Sequence, residues 1–256
     1  MIIYSWNMLF RNRELDRAFE FIAKSDFDIF SLQEVPDEFL KRLRTLPFHI
    51  ADAVDVERLF AKTHRNHLVI LSRHSVIASG SLPWPDYWPL LPLRTKVFVH
   101  LMRPLHWSKI RNRNGLYADI AAPKGSFRVF NLHTALTRPH LRVREFEIAM
   151  AERDPSRPTV VCGDFNTVES PLMAILNWFL GGSIADAFLY RRERTRIEKH
   201  FVEHALLNPL RGETTHVFAG SQLDHILVSN SFSIKHAEVL HDRIGSDHHP
   251  IRVEVE

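Results

Sequence analysis

The sequence predicts a mixed α/β fold in which two mostly antiparallel sheets pack face to face with helices outside. Three observations predict it. Strand-like runs outnumber helical ones, the strands come in hairpin-like pairs, and no repeat or linker interrupts the chain. One domain spanning residues 1–256 is therefore expected.

Taken in order, Ile2–Trp6 alternates and is rich in β-formers, which marks a first strand. Arg13–Lys24 places Leu15, Ala18, Phe19, Ile22 and Ala23 on one helical face. Asp28–Gln33 is the next strand, followed by a short helix through Phe39, Leu40 and Leu43. Strand-like runs recur at Phe48–Ala53, Leu68–Ser72 and Val76–Ser79. Between Leu82 and Pro92, four prolines remove backbone donors and predict an ordered aromatic loop. It leads into an apolar strand, Val97–Met102, and a basic segment through Asn114. Strands resume at Leu116–Ile120 and Phe127–His133. A helix fits Arg142–Arg153, and Thr159–Cys162 reads as a buried strand. Pro171–Phe179 and Thr195–Leu207 read as helices; Leu223–Val228, Ser233–Val239 and Ile251–Val255 read as strands.

Composition excludes several classes. The one cysteine, Cys162, rules out an intrachain disulfide and a cysteine-based zinc site. Met1–Asn7 lacks a basic stretch followed by a long apolar one, and no run approaches the ~20 apolar residues of a membrane helix, so a cytoplasmic monomer is expected. The net charge is only +3, but its distribution is uneven: no acidic residue occurs between Asp86 and Asp119. That window carries Arg94, Lys96, Arg103, Lys109, Arg111 and Arg113 with His100 and His106, and a second cluster runs from Arg191 to Arg196. Such a field favours polyanions or anionic surfaces, unless acids elsewhere in the fold neutralise it.

Six polar spots stand at strand ends, where an α/β scaffold places its chemistry. Asn7 ends the first strand, where a turn former is the plainer reading, and Glu34 ends the second, as an exposed acid or a hard-cation ligand. His133 closes Asn131-Leu132-His133. Gly163-Asp164-Phe165-Asn166 follows the buried strand, either with both polar side chains on one face of extended backbone or as an Asx turn. Asp224 opens Leu223-Asp224-His225-Ile226, and Ser246-Asp247-His248-His249 enters the last strand.

In this order the six motifs, with Asn66 and the run Leu68–Arg73, resemble the endonuclease/exonuclease/phosphatase superfamily from Asn7 to Pro250. The resemblance implies a four-layer α/β sandwich and a hydrolase that cleaves phosphoesters. It implies that Asn7, Glu34 and Asp247 hold Mg²⁺ (or Mn²⁺) and that Asp164 orients or deprotonates the attacking water. It further implies that Asn166 and His133 contact the phosphate, and that Asp224 holds His248 against it. AP endonucleases carry an acid where this chain has Leu9 and an Asn where it has His133, so the DNase I, sphingomyelinase and tyrosyl-DNA phosphodiesterase branches are the better match. A DNA nuclease or end-processing enzyme is expected, with Arg73, Trp88, Arg111 and Arg113 as candidate substrate contacts. Two alternatives are a phospholipid diesterase at a membrane surface and a non-catalytic nucleic-acid-binding module.

Overall fold

A computed structural model of the chain describes residues 1–59, 63–102, 109–169, 171–189 and 191–256. Arg103, His106 and Trp107 of the basic segment lie outside the described residues. Seven strands form one sheet in the order β12 (Ile234–Val239), β13 (Ile251–Val255), β1 (Ile2–Asn7), β2 (Ile29–Pro36), β4 (Thr63–Ser72), β3 (His49–Leu59) and β6 (Lys109–Arg111). The second sheet runs β10 (Leu206–Leu207), β11 (Asp224–Ser229), β9 (Thr159–Asp164), β8 (Gly125–His133), β7 (Asn114–Ala122), β5 (Ser75–Pro83). Among the described residues the pairs β1–β2 and β8–β9 are parallel and the other ladders antiparallel.

Strand alternation builds the layers. Within β9, Val160 and Cys162 point between the sheets to meet Ile3, Ile29 and Ile70, while Val161 points outward. Cys162 is wholly buried, and burial pushes its thiol up to about 12, so it acts as a small hydrophobe. The outer face of the first sheet is covered by α1 (Leu15–Lys24) and α2 (Asp37–Leu43), where Ala18, Ile22, Phe39 and Leu43 pack on Phe30, Leu32 and Leu71. The outer face of the second is covered by α4 (Pro139–Ala151) and α7 (Arg192–Glu203), through Phe146, Ala149, Ile197 and Phe201. The result is helix, sheet, sheet, helix, as expected from the strand pairing.

Three segments differ from the expectation. The helix expected over Thr195–Leu207 ends at Glu203, and Leu206–Leu207 pairs with β11 as the edge strand β10. Val97–Met102 is not a strand: it belongs to the helix α3 (Leu93–Leu101), which starts after Pro92 and buries Thr95 and Val99 one turn apart. The apolar run that suggested a strand here divides between the two sides of a helix, with Val99 packed inward and Val97 outward, a case of tertiary context overriding propensity. The aromatic stretch is ordered but partly regular, since β5 runs to Pro83 and a 3₁₀ turn covers Trp88–Leu90. Beyond it, α5 (Pro171–Phe179) and the short α6 (Ile184–Phe188) fill the corner between α3 and α7. Among the described residues no helix is long and apolar enough to cross a membrane.

Candidate active site

The parallel pairs set the site. Asn7 lies across from Gln33 on β2, and His133 lies across from Asp164 on β9, so the ends of four strands meet at one rim. The close approach of β8 and β9 depends on Gly163, whose φ is +140°; a Cβ there would strike the Leu132 carbonyl oxygen. Asn7 then crosses between the sheets: its Nδ2 donates to Asp164 Oδ2 at 3.0 Å.

Asp164 is the centre of the cluster. Its Oδ2 lies 3.7 Å from His248 Nε2 and 3.8 Å from His133 Nε2, beyond direct hydrogen bonding, so both imidazole edges flank one carboxylate oxygen. Burial works against the carboxylate, but His248, His133, the Asn166 amide and Asn7 outweigh it and hold its pKa below the usual range.

Each histidine is pinned from behind by a wholly buried carboxylate. His248 Nδ1 is 2.8 Å from Asp224 Oδ2, and His133 Nδ1 is 2.7 Å from Asp55 Oδ2. Burial disfavours the charged rings, yet Asp224 and Asp164 raise His248 to about 10, and Asp55 and Asp164 raise His133 to about 9. Both are therefore cations at neutral pH, with Nδ1 committed and Nε2–H turned toward Asp164.

Asp55 was not anticipated from sequence. It stands at a β-bulge, where the β3–β4 register shifts between Val54 and Val56, and a bulge re-aims a side chain that simple alternation would assign to the wrong face. A second bulge, between Leu32 and Val35 on β2, gives Glu34 its φ of +57° and turns it to the rim. Glu34 accepts from the Phe10 amide at 3.0 Å and pairs with Arg58 at 2.9 Å. Arg58, which stacks on Phe10, is a further rim residue without a sequence signal. So is His216: its ring meets that of His248 edge-on at 4.5 Å, and its Nε2 lies 3.5 Å from Asp247 Oδ2.

Extended backbone does not carry Asn166 onto the face of Asp164. Its φ is +51°, its amide N–H donates to Asp164 Oδ1 at 2.8 Å, and its Nδ2 donates to Thr134 O at 3.0 Å. The segment is an Asx turn that fixes the Asp164 carboxylate.

The candidate substrate contacts fare unevenly. Arg73 is at the opposite rim: Ser72 pairs with Ile29 at the far end of β2, and the Arg73 guanidinium binds the Phe27 and Ser25 carbonyls while lying over Phe27 and Phe48. Arg113 is half-buried, paired with Glu145 and donating to His133 O at 2.8 Å, so its guanidinium is committed to holding the strand end. Arg111 is half exposed on β6 and lies 3.4 Å from Glu57. Trp88 is half-buried on the 3₁₀ turn whose neighbour Tyr87 packs on Ala135 and Leu141, just past His133.

A divalent cation fits the rim by donor type and by charge. Asn7, Glu34 and Asp247 offer hard oxygen donors around the end of β1, which Ser246 Oγ ties to the last strand through Asn7 O at 2.8 Å. Asp247 Oδ1 is buried with no hydrogen-bond partner. Glu34 is balanced by Arg58, and the carboxylates Asp55, Asp164, Asp224 and Asp247 outnumber the histidines His133 and His248 that they surround, which favours a cation here. The ligand atoms of Asp247, His248 and His216 lie within 4.8 Å of one another, as do those of Asp164, Asp224 and His248.

Solved structures share this fold at low identity. An endonuclease/exonuclease/phosphatase family protein from Leptotrichia buccalis is 14% identical with a TM-score of 0.68, covering 100% of this chain and 99% of that one. A 3′ phosphatase from Neisseria bound to a product DNA hairpin is 18% identical (TM-score 0.66; 100% and 99% covered). An AP endonuclease from Archaeoglobus fulgidus is 16% identical (TM-score 0.64; 100% and 99% covered). No curated protein matches the sequence. The model of the Endonuclease/Exonuclease/phosphatase family, whose members are hydrolases acting on phosphoester bonds, matches residues 4–248. That span takes in every strand end that meets at the rim, and the chain belongs to the endonuclease/exonuclease/phosphatase family.

Proposed function

We propose that this protein is a divalent-metal-dependent phosphodiesterase that cleaves nucleic-acid phosphodiester bonds, most directly those of DNA, by attack of water. One observation carries the reading. Two imidazolium rings, each pinned by a buried carboxylate, flank the oxygen of a third carboxylate at 3.7 and 3.8 Å. Such an arrangement would offer positive N–H donors to a phosphate's oxygens as they gain charge, with a base beside them for water.

Asn7, Glu34 and Asp247 would hold Mg²⁺ (or Mn²⁺), which supplies Lewis-acid neutralisation of the phosphate's negative charge when bound. Asp164, kept ionised, accepts a hydrogen bond from the attacking water and takes its proton as the phosphorus–oxygen bond forms. Asn7 and the Asn166 amide hold that carboxylate in line. His248 donates from Nε2 to a non-bridging oxygen, and Asp224 fixes its tautomer. His133, with Asp55 behind it, donates from the other side, and the bond from phosphorus to the leaving oxygen breaks as that oxygen takes a proton from His133 Nε2 or from solvent.

The nucleic-acid assignment draws support from the DNA hairpin in the Neisseria 3′ phosphatase and from the Archaeoglobus AP endonuclease, and from Arg111 and Trp88 at the described edge of the basic segment. A second reading, a phospholipid diester, is favoured by the exposed leucines of α3 near the rim. Hydrolysis of supercoiled plasmid and single-stranded DNA in Mg²⁺, Mn²⁺ or EDTA, with His248→Ala alongside, tests the proposal. Cleavage that needs metal and falls about 10²-fold or more in the variant supports it. A folded, metal-binding protein that leaves DNA intact but cleaves phospholipid would transfer the mechanism to the second substrate.

A further inference from the structure

Beside the rim lies an apolar surface that contributes no residue to the catalytic cluster. α3 is apolar on two sides. Thr95 and Val99 face inward, while Leu93 (75% exposed), Val97 and Leu101 (68%) face outward at helical spacing, with Leu90 exposed just before them. α6 repeats the pattern with Ile184, Phe188 (75%) and Leu189. The two belong to one unit: Arg94 donates to the Trp178 and Gly182 carbonyls, and the Phe98 ring packs on Phe179 at 5.3 Å. The unit is fixed to the rim, because the loop leaving Asp164 leads into α5, and Arg138, five residues past His133, binds Leu180 O and Leu90 O. Folding does not explain leucines on the outer side of a helix; clustered exposure of this kind marks a surface that meets something apolar.

The charges around it select the occupant. The window containing α3 has no acidic residue, and Arg94 and Lys96 form their hydrogen bonds with neutral carbonyls, with no carboxylate paired to either among the described residues. At the α6–α7 corner, Arg191 and Arg192 are exposed directly after Phe188 and Leu189. The acids there are shared among more cations than they can balance: Glu169 lies between Arg191 and Arg194, Asp186, which also caps α6 through Ser183, lies 3.9 Å from both Arg192 and Arg196, and Glu193 is buried against Arg142. Aliphatic and aromatic tips ringed by cations suit the boundary between anionic headgroups and acyl chains. A polynucleotide would gain from the cations but not from Leu93 or Leu101.

We infer that the α3–α6 face docks on an anionic lipid bilayer, seating Leu93, Val97, Leu101 and Phe188 at the headgroup boundary with the active-site rim alongside. The inference does not rest on the phosphodiesterase reading, since docking is measured without turnover.

The test is sedimentation of the full chain with vesicles of phosphatidylcholine alone and of an equimolar phosphatidylcholine–phosphatidylglycerol mixture. Partition onto the anionic vesicles should exceed that onto neutral ones about tenfold and weaken with salt. Leu93→Gln with Leu101→Gln should cut it about ten- to a hundredfold. Arg191→Glu with Arg192→Glu should cut the anionic preference. The leucine variant alters exposed side chains only, so its thermal unfolding and its turnover of a soluble phosphodiester should match the parent. Equal binding by parent and leucine variant would overturn the proposal, as would no binding to either vesicle. A concentration-dependent dimer dispersed by the leucine variant would overturn it in favour of a second copy as occupant. DNA binding lost in that variant without vesicle binding would overturn it in favour of nucleic acid.

Discussion

Replacing Asp55 by Asn tests whether His133 works as a cation. Asp55 is wholly buried, and its Oδ2 lies 2.7 Å from His133 Nδ1. Burial lowers the ring's affinity for a proton, and Asp55 with Asp164 reverses that, lifting the pKa from 6.5 to about 9. At about 1.36 kcal/mol per pH unit, the lift favours the charged ring by roughly 3 kcal/mol. An amide retains the shape and a hydrogen-bonding oxygen but removes the charge, so in Asp55→Asn the ring should titrate at or below its ordinary value. Turnover at pH 7.5 should fall about tenfold or more and recover as pH drops toward 6. Stability follows the same sign. A raised pKa stabilises the folded state fully below pH 6.5 and loses that contribution as pH rises through about 9, so the variant's deficit should be largest in acid and fade above pH 9. The assay pairs a pH–rate profile with NMR titration of the His133 ring in the metal-free protein. An unshifted titration, or a rate profile identical to the parent's, would refute the reasoning.

Four further outcomes are expected. Arg58→Ala frees Glu34 from a 2.9 Å ion pair, so Mn²⁺ should bind about tenfold more tightly by calorimetry; weaker binding would make Arg58 a support of the site instead. Gly163→Ala should abolish soluble folded protein, read by circular dichroism, because φ of +140° and the Leu132 carbonyl leave no place for a Cβ. Glu193→Ala strands the buried Arg142 guanidinium, which also donates to the Ala135 and Leu136 carbonyls, and should lower unfolding free energy by about 3–5 kcal/mol in denaturant titration. His248, raised to about 10, should hold its proton through neutral pH in the metal-free protein, and NMR of Asp224→Asn should show that proton lost at lower pH.

Much of this site was legible because its residues close apolar strands. Asn7, His133, Asp164 and Asp224 are fixed at the rim by strand register alone, and a strand followed by a polar residue is a pattern the chain displays openly. The bulged positions were not legible. Asp55 reads as one more acid in an alternating run, and only the shift between Val54 and Val56 turns it onto His133. The α3 helix was misread for a related reason: Val97 and Val99 favour a strand, and only packing through Thr95 and Val99 shows the helical period. The basic window also overstated its free charge, because its counter-charges come from distant segments. Glu145 on α4 takes Arg113, and Glu57 on β3 takes Arg111. Arg73 shows the reverse error, a cation one residue past a strand end but at the rim away from Glu34.

The central claim is that Asp164, between two carboxylate-backed imidazolium rings, drives metal-dependent attack of water on a phosphodiester. Its most direct test is the initial rate of phosphodiester hydrolysis at pH 7.5 for the parent and Asp164→Asn, each with Mn²⁺ and with EDTA. Turnover is expected only for the parent with metal, with a loss of about 10²–10⁴-fold in a variant that still folds and binds Mn²⁺. Parent-like turnover by Asp164→Asn, or turnover indifferent to EDTA, would contradict it.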